Sequence, residues 1–292
     1  MNPFLRWAGG KRKLAELIAG TIPSDFFTSD SFFREPFVGG GALMLYMGEP
    51  DRYQYVPGTR LHINDTNPDL VLTYMAIQNH LEALLKLLEN LASDVSKEKY
   101  LAMRATVPND EIERAARFIY LNKTGFNGLW RVNSKGDYNV PWGQLANPTI
   151  FDEEQLHLIA QRLQGCQITK SSYKEAIASS KSGDLIYFDP PYIPLSASSS
   201  FSKYAKDDFG LADQKELAGT IEELSANGVK VILSNSDTDY SREIFGKVLK
   251  LRQISASRAI AANAASRGSV KEILGTNFEL PETSDLRKFA EI

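Results

Sequence analysis

The chain has 292 residues, 43% hydrophobic and 24% charged, and its 33 Lys and Arg against 36 Asp and Glu give a formal net charge of −3. That length suits one large domain or two smaller ones at roughly 150 residues each, and the apolar fraction excludes a disordered chain and a membrane bundle. A single cysteine, Cys166, excludes an internal disulfide and a Cys-rich zinc site, and no run reaches the roughly 18 apolar residues that span a bilayer.

The N-terminal residues Met1 to Trp7 lack the basic-then-apolar pattern of a secretory signal, so a soluble protein of a reducing compartment is expected. Trp7-Ala8-Gly9-Gly10-Lys11 reads as a glycine turn opening a short helix over Leu14 to Ile18. The aromatic, β-branched run from Ser31 to Val38 reads as a strand, Gly39-Gly40-Gly41 as a turn and Leu43 to Met47 as a buried helix. Residues 61–65 read as a second strand ending on Asp65. From about 69 to 150 helical periodicity dominates, with apolar faces at Leu81, Leu84, Leu85, Leu88 and at Ala115, Ala116, Ile119. That stretch closes in a polar, glycine-punctuated loop from Asn122 to Gly143. The βα alternation resumes with a weak strand at 167–169 and a strong one at 184–188, which runs into Asp189-Pro190-Pro191-Tyr192. A helix over 214–224, a strand at 229–235, a short helix over 241–247 and a further pair near 248–257 and 270–278 complete the pattern. The whole reads as an open α/β sheet with a helical insertion after its second strand. Ser196 to Ser200, the only low-complexity run, is expected to be a mobile loop.

Two segments carry chemistry. The Phe37-to-Gly41 turn lets backbone approach a ligand closely at the end of the first strand. Asp65, 24 residues after Gly41, can accept from both hydroxyls of a ribose. The spacing is not Gly-x-Gly-x-x-Gly, which favours a nucleoside without a pyrophosphate over a dinucleotide. In Asp189-Pro190-Pro191-Tyr192, two prolines fix φ and remove two backbone donors. An acceptor-only surface remains, the Asp189 carboxylate with proline carbonyls, and it suits an –NH₂ group. Tyr192 adds a flat face on which a planar base can stack. His62, His80 and His157 lack metal-ligand spacing, and Cys166 reads as a small buried apolar residue, so no metal is expected.

On these residues the chain resembles the Dam-type (class alpha, D12) DNA adenine-N6 methyltransferases, which use S-adenosylmethionine. The matching pieces stand in the family's order: Trp7-Ala8-Gly9-Gly10-Lys11, Glu35-Pro36-Phe37-Val38-Gly39-Gly40-Gly41, Asn64-Asp65, Tyr120-Leu121-Asn122, and Phe126-Asn127-Gly128-Leu129-Trp130-Arg131. Asn139-Val140-Pro141, Asp189-Pro190-Pro191-Tyr192 with Pro194-Leu195-Ser196, and Leu233-Ser234-Asn235 follow, so the resemblance covers residues 4–278. It implies a Rossmann-like S-adenosylmethionine-dependent methyltransferase sheet with an inserted helical DNA-recognition domain. Residues 1–68 and 151–292 would form the catalytic domain and 69–150 the target-recognition domain. The implied methyl-donor site is Trp7, Lys11, Phe37, Gly39, Gly41, Asp65, Tyr173 and Asp189; Ser172 stands where the family often has an acid, which leaves the donor's adenine to Tyr173. The implied catalytic set is Asp189, Pro190, Pro191 and Tyr192. Asp189 and the Pro190 carbonyl would accept both hydrogens of adenine N6 and draw the nitrogen towards tetrahedral geometry for direct in-line transfer. The adenine must leave the duplex to reach them, and Tyr192 would line its pocket.

The resemblance also assigns the insertion to sequence reading. Residues 114–136 hold Arg114, Arg117, Lys123, Arg131 and Lys135 and no acid, a local charge of +5 in a chain of −3. Phe126 and Asn127 would enter the duplex beside the flipped base, and Arg131 would read a guanine as a bidentate fork. Lys123, Leu129 and Pro141 match other recognition positions, while Gln144 replaces an Arg common in the family. Arg258 and Arg267 are expected to touch phosphates. The implied partners are double-stranded DNA and S-adenosylmethionine, with no membrane, in a cytoplasmic protein of bacterial or phage origin. GATC is the expected target, and a cognate restriction endonuclease is compatible with this class. Three other readings compete. They are a methyltransferase for RNA bases or cytosine N4, a DNA-binding module without catalysis, and a nicotinamide-dependent oxidoreductase. The Trp-Ala-Gly-Gly-Lys start, intact Asp65, Lys11 and Asp189, and the missing dinucleotide fingerprint count against them in turn.

Overall fold

Strands of a parallel sheet covered on both faces favour short, mostly apolar runs. β4 (Leu185–Phe188) is such a run; β1 (Phe33–Glu35) and β2 (Leu61–Asn64) are also buried throughout but carry Arg34, Glu35, His62 and Asn64, and β3 (Gln167–Thr169) is more exposed. In the computed structural model, which describes residues 1–193, 209–257, 269–281 and 290–291, these strands join four others. They are β5 (Lys230–Ser236), β6 (Lys250–Ser257), β7 (Ser269–Thr276) and β8 (Ala290–Glu291). The sheet runs β3-β2-β1-β4-β5-β7-β6-β8. Strands β1 to β5 pair in parallel, and β7 lies antiparallel between β5 and β6. From β1 the chain winds outward through β2 to β3, then returns to the other side of β1 for β4 and β5. The reversal falls between β1 and β4, and open α/β sheets hold ligands outside the carboxyl ends of their strands at such a switch point.

Before β2 come α1 (Ala15–Ala19), α2 (Ser24–Thr28) and α3 (Ala42–Tyr46). Between β2 and β3 run α4 (Pro68–Asn79), α5 (Leu81–Ala92), α6 (Lys97–Ala105), α7 (Glu111–Thr124) and α8 (Glu153–Leu163). Short α9 (Tyr173–Ile177) precedes β4, and α10 (Leu211–Ala226) and α11 (Asp239–Phe245) flank β5. Caps set two of the long starts: Asn67 accepts from Asp69 N and Leu70 N with Pro68 at the first position, and Asp110 accepts from Ile112 N and Glu113 N. Neither α2 nor α8 is among the predicted elements. The α8 signal is nonetheless present, since Leu156, Ile159 and Leu163 are buried at helical spacing behind the Asp152 cap.

Alternation along β4 divides the core. Leu185 and Tyr187 face one cluster, which runs through Phe33, Leu70, Tyr74, Leu84, Phe118 and Ile119. Ile186 and Phe188 face another, with Leu217, Ile221, Val231, Leu233 and Phe245. Helices α4, α5 and α7 thus share one continuous core with the sheet, and α4 packs on α7, α8 and β3. Pro194 to Ser200, Asp207-Asp208, Arg258 and Arg267 lie outside the described residues. Among those described, no helix is long and apolar enough to cross a membrane.

Candidate active site

The turn after β1 is restricted to glycine by backbone and by space. Gly39 (φ +47°) and Gly41 (φ +65°) sit where L side chains are rare, and a Cβ would lie 2.7 Å from Trp7 Nε1 at Gly39 and 2.8 Å from Tyr74 Oη at Gly41. The Trp7 indole therefore rests on the turn. Tyr74 Oη donates to Gly39 O (2.9 Å), and Gly39 N donates to Asp65 Oδ2 (3.1 Å). Asn67 N donates to Asp65 Oδ1 (2.9 Å). Burial pushes the half-buried Asp65 carboxyl up, and these amides oppose that. A carboxylate offers about four lone-pair positions, so Asp65 keeps acceptor capacity for ligand hydroxyls beside the turn. Phe37 extends the surface, stacked on Tyr173 (5.6 Å, 28°) with Phe209 edge-on (5.4 Å). Ser172 is occupied in capping α9, exchanging hydrogen bonds with Glu175.

Buried polar groups fix the strand ends beneath. Asn64 Oδ1 accepts from Thr169 Oγ1 (2.9 Å) and Ser171 N (3.0 Å), and Asn64 Nδ2 donates to Pro36 O (3.0 Å). This one side chain ties β1, β2 and β3 together. Thr169 spends its proton on Asn64, so it accepts from His62 Nε2 (2.8 Å), and His62 Nδ1 accepts from Arg34 (2.9 Å). Burial, then the neighbouring Arg34 charge, push the His62 ring down to about 4. His62 is a neutral structural link.

The turn after β4 meets the N-terminal segment. The Lys11 ammonium, 4% exposed, donates to Gly9 O (2.8 Å), lies 3.0 Å from Asp189 Oδ1 and stands 4.5 Å above the Tyr192 ring centre. Burial pushes the Asp189 carboxyl up, and Lys11 opposes it. Tyr192 Oη donates to Glu272 Oε2 (2.9 Å) on β7. The turn's own backbone is pinned by buried amides: Gln214 Nε2 donates to Pro191 O (2.6 Å), Asn235 Nδ2 to Gln214 Oε1 (3.0 Å), and Ile193 N to Asn235 Oδ1 (3.2 Å). Beneath Asp189, burial pushes the Glu35 carboxyl up to about 8, against the Met44 amide. Asp189, Pro190, Pro191 and Tyr192 thus join Lys11 and the Trp7-covered turn on one edge of the sheet. Gln214 and Glu272 bond this turn, and the sequence reading does not place them there. The available signal is weak: Glu272 follows Lys271 and directly precedes the buried pair Ile273 and Leu274.

Beyond α7 the chain forms an exposed tip. Asn127 (φ 55°) and Gly128 (φ +63°) turn it, and Phe126 N donates to Pro141 O (2.9 Å) while its ring is 41% exposed. Leu129 is half-buried and Pro141 exposed. Exposed Arg131 donates to Asn139 Oδ1 (2.6 Å) and Asn139 O (3.2 Å). Lys123 is half-buried in the last turn of α7, and burial followed by nearby Arg6 lowers its pKa. Buried Asn122 bonds Arg6 N (2.9 Å), Arg6 O (2.7 Å) and Gly128 O (3.0 Å), setting the tip against the segment that leads to Trp7. The +5 count shrinks here. Arg117, 3% exposed, donates to the Met103 and Arg104 carbonyls (2.6 and 3.0 Å) at the end of α6, and Arg114 pairs with Asp69 (2.5 Å). Lys123, Arg131 and Lys135 supply the remaining charge of this segment.

Comparison with known proteins shows the family. Residues 7–260 match the family model of the D12 class N6 adenine-specific DNA methyltransferases. The chain is 37% identical to the Type II methyltransferase M1.LlaDCHI of Lactococcus lactis subsp. cremoris, over 95% of this chain and 96% of the relative. It is 35% identical to the Type II methyltransferase M.MjaIII of Methanocaldococcus jannaschii, over 95% and 99%. It is 35% identical to a DNA adenine methylase of Vibrio cholerae serotype O1, over 93% and 94%. With the family pattern matched across most of its length, the chain belongs to the D12 class of N6 adenine-specific DNA methyltransferases, enzymes that act on DNA with S-adenosylmethionine as methyl donor.

Proposed function

We propose that the protein methylates adenine N6 at a specific site in duplex DNA, with GATC as the target, after the base has been flipped out of the helix. The observation that carries this reading is the Asp189 carboxyl at the sheet's switch point, on a turn whose Pro191 carbonyl is already taken by Gln214. Asp189 and the Pro190 carbonyl are then the acceptors for the two hydrogens of the amine. Accepting both localises the nitrogen lone pair, which is otherwise delocalised into the ring and weakly nucleophilic. The geometry is preorganised, so little rearrangement opposes the reaction. Lys11 occupies one face of the Tyr192 ring, so a flipped base stacks on the other.

The donor site is the turn from Phe37 to Gly41 with Trp7, Lys11, Asp65 and Tyr173. Its residues fit the donor: a carboxylate with spare acceptor capacity, a turn without Cβ atoms and an aromatic wall. When bound, S-adenosylmethionine supplies an electrophilic methyl group. Residues 69–150 act as the reading unit. Phe126 and Asn127 enter the duplex, Arg131 and Leu129 face base edges, and Lys123 and Pro141 complete the contact. The Type II names of two relatives support a protective role beside a restriction endonuclease.

The test is transfer of tritium from labelled S-adenosylmethionine to unmethylated duplexes, followed by a nuclease that GATC methylation blocks. Label and resistance on the GATC duplex are expected. No label on any duplex would overturn the activity, and equal labelling of duplexes lacking GATC would overturn the target alone.

A further inference from the structure

A buried acid inside a strand is costly unless it is paired. Glu272 is such a residue: 5% exposed, it stands opposite Ser236 of β5 and Ile254 of β6 and is followed by buried Ile273 and Leu274. Its partners come from two distant segments. Oε2 accepts from Tyr192 Oη at 2.9 Å and lies 3.9 Å from Lys11 Nζ. Lys11 in turn lies 3.0 Å from Asp189 Oδ1. One ammonium therefore faces two carboxylates and is within ion-pair range of both, nearer to Asp189.

Resting on the functional reading above, we propose that Glu272 is a positioning residue for methyl transfer, which holds the Tyr192 ring by its hydroxyl and shares the Lys11 ammonium with Asp189. The first role follows from the ring's attachment. Tyr192 leaves the sheet on a proline-stiffened turn, and the hydroxyl anchor at its far end fixes the plane on which a base stacks. The second follows from charge. An ammonium bound wholly to Asp189 would weaken that carboxylate as an acceptor for an incoming amine. A second carboxylate lets Lys11 remain charged and buried while Asp189 turns to the base. Glu272 touches neither base nor donor in this scheme and acts through Tyr192 and Lys11.

Single-turnover methyl transfer at saturating donor and duplex tests it on the whole protein. Glu272→Ala should slow the chemical step roughly tenfold to a hundredfold, with the affinities for donor and duplex retained. Glu272→Gln keeps an acceptor for the hydroxyl and loses the charge, so it should be slowed less. Tyr192→Phe keeps the ring and loses the hydroxyl, and the Tyr192→Phe/Glu272→Ala double variant should be no slower than Glu272→Ala alone. If Glu272→Ala fails to fold, the near-isosteric Glu272→Gln and Tyr192→Phe carry the test by the same rates. A wild-type rate in folded Glu272→Ala, a loss seen only as weaker donor or duplex binding, or losses that multiply in the double variant would overturn the inference. No transfer by the unaltered protein would instead overturn the functional reading, and this inference with it.

Discussion

The sheet edge and the tip beyond α7 hold their side chains in different ways. At the edge the bonds that join the site are between segments remote in sequence: Asp65 is held by Gly39, Lys11 pairs with Asp189, and Tyr192 is held by Glu272 and Pro191 by Gln214. At the tip the partners are mostly local, as with Arg131 on Asn139 and Phe126 on Pro141. The edge is buried, and there a lost partner strands a polar group in a low-dielectric interior. The tip is largely exposed, and water replaces a lost partner. On the function proposed above, a change at the edge should therefore act on chemistry and fold together, whereas a change at the tip should redirect recognition and leave the fold standing.

That contrast can be broken or sharpened by substitution. Asp189→Ala should cost the largest factor, roughly 100- to 1,000-fold or more in transfer rate, with duplex affinity unchanged; retained transfer would remove the edge from the chemistry. Asp65→Ala should weaken donor binding by about 1.5–3 kcal/mol, read by titration calorimetry, and an unchanged donor affinity would dissociate the glycine turn from donor binding. Arg131→Ala should leave the transfer rate on the best site intact and relax discrimination at one base pair by about 1–3 kcal/mol, read by competition between singly altered duplexes. The smallest effect separates two cations of the same helix. Lys123→Ala should reduce the slope of log affinity against log salt by about one. Arg117→Ala should leave that slope alone and lower the melting temperature, because the Met103 and Arg104 carbonyls lose their donor. Equal slopes for the two variants would erase the distinction between reading charge and structural charge.

The parts that were legible in the sequence share a cause. β4 and its Asp-Pro-Pro-Tyr turn stand out because an apolar run, an acid and two prolines are contiguous, and the Gly39–Gly41 turn because only glycine fits there. Arg117 misleads because charge in a sequence carries no direction. Helical spacing places it on α7, but only the packing of α6 aims it inward. Gln214 and Glu272 escape for the opposite reason. Each is separated along the chain from the turn it holds, and only the packing of α10 brings Gln214, and the pairing of β7 beside β5 brings Glu272, to that turn. The open α/β sheet and its helical stretch are read from periodicity, while the antiparallel placing of β7 between β5 and β6 is a matter of pairing that no local pattern encodes.

Asn122 has a consequence for inheritance and for engineering. Its single amide grips both backbone groups of Arg6 and the carbonyl of Gly128, 116 residues from one partner and 6 from the other. Residues 6 and 128 must therefore travel as a matched pair. The same fit appears in space, since a Cβ at Gly128 would fall 2.3 Å from Arg6 Cβ. A segment carrying the tip, grafted from a relative, would sit on a mismatched seam unless the first few residues of the donor protein came with it. The tip is thus seated on two separated passages of the chain, and exchanging only the longer one would loosen the N-terminal strap that carries Trp7 and Lys11.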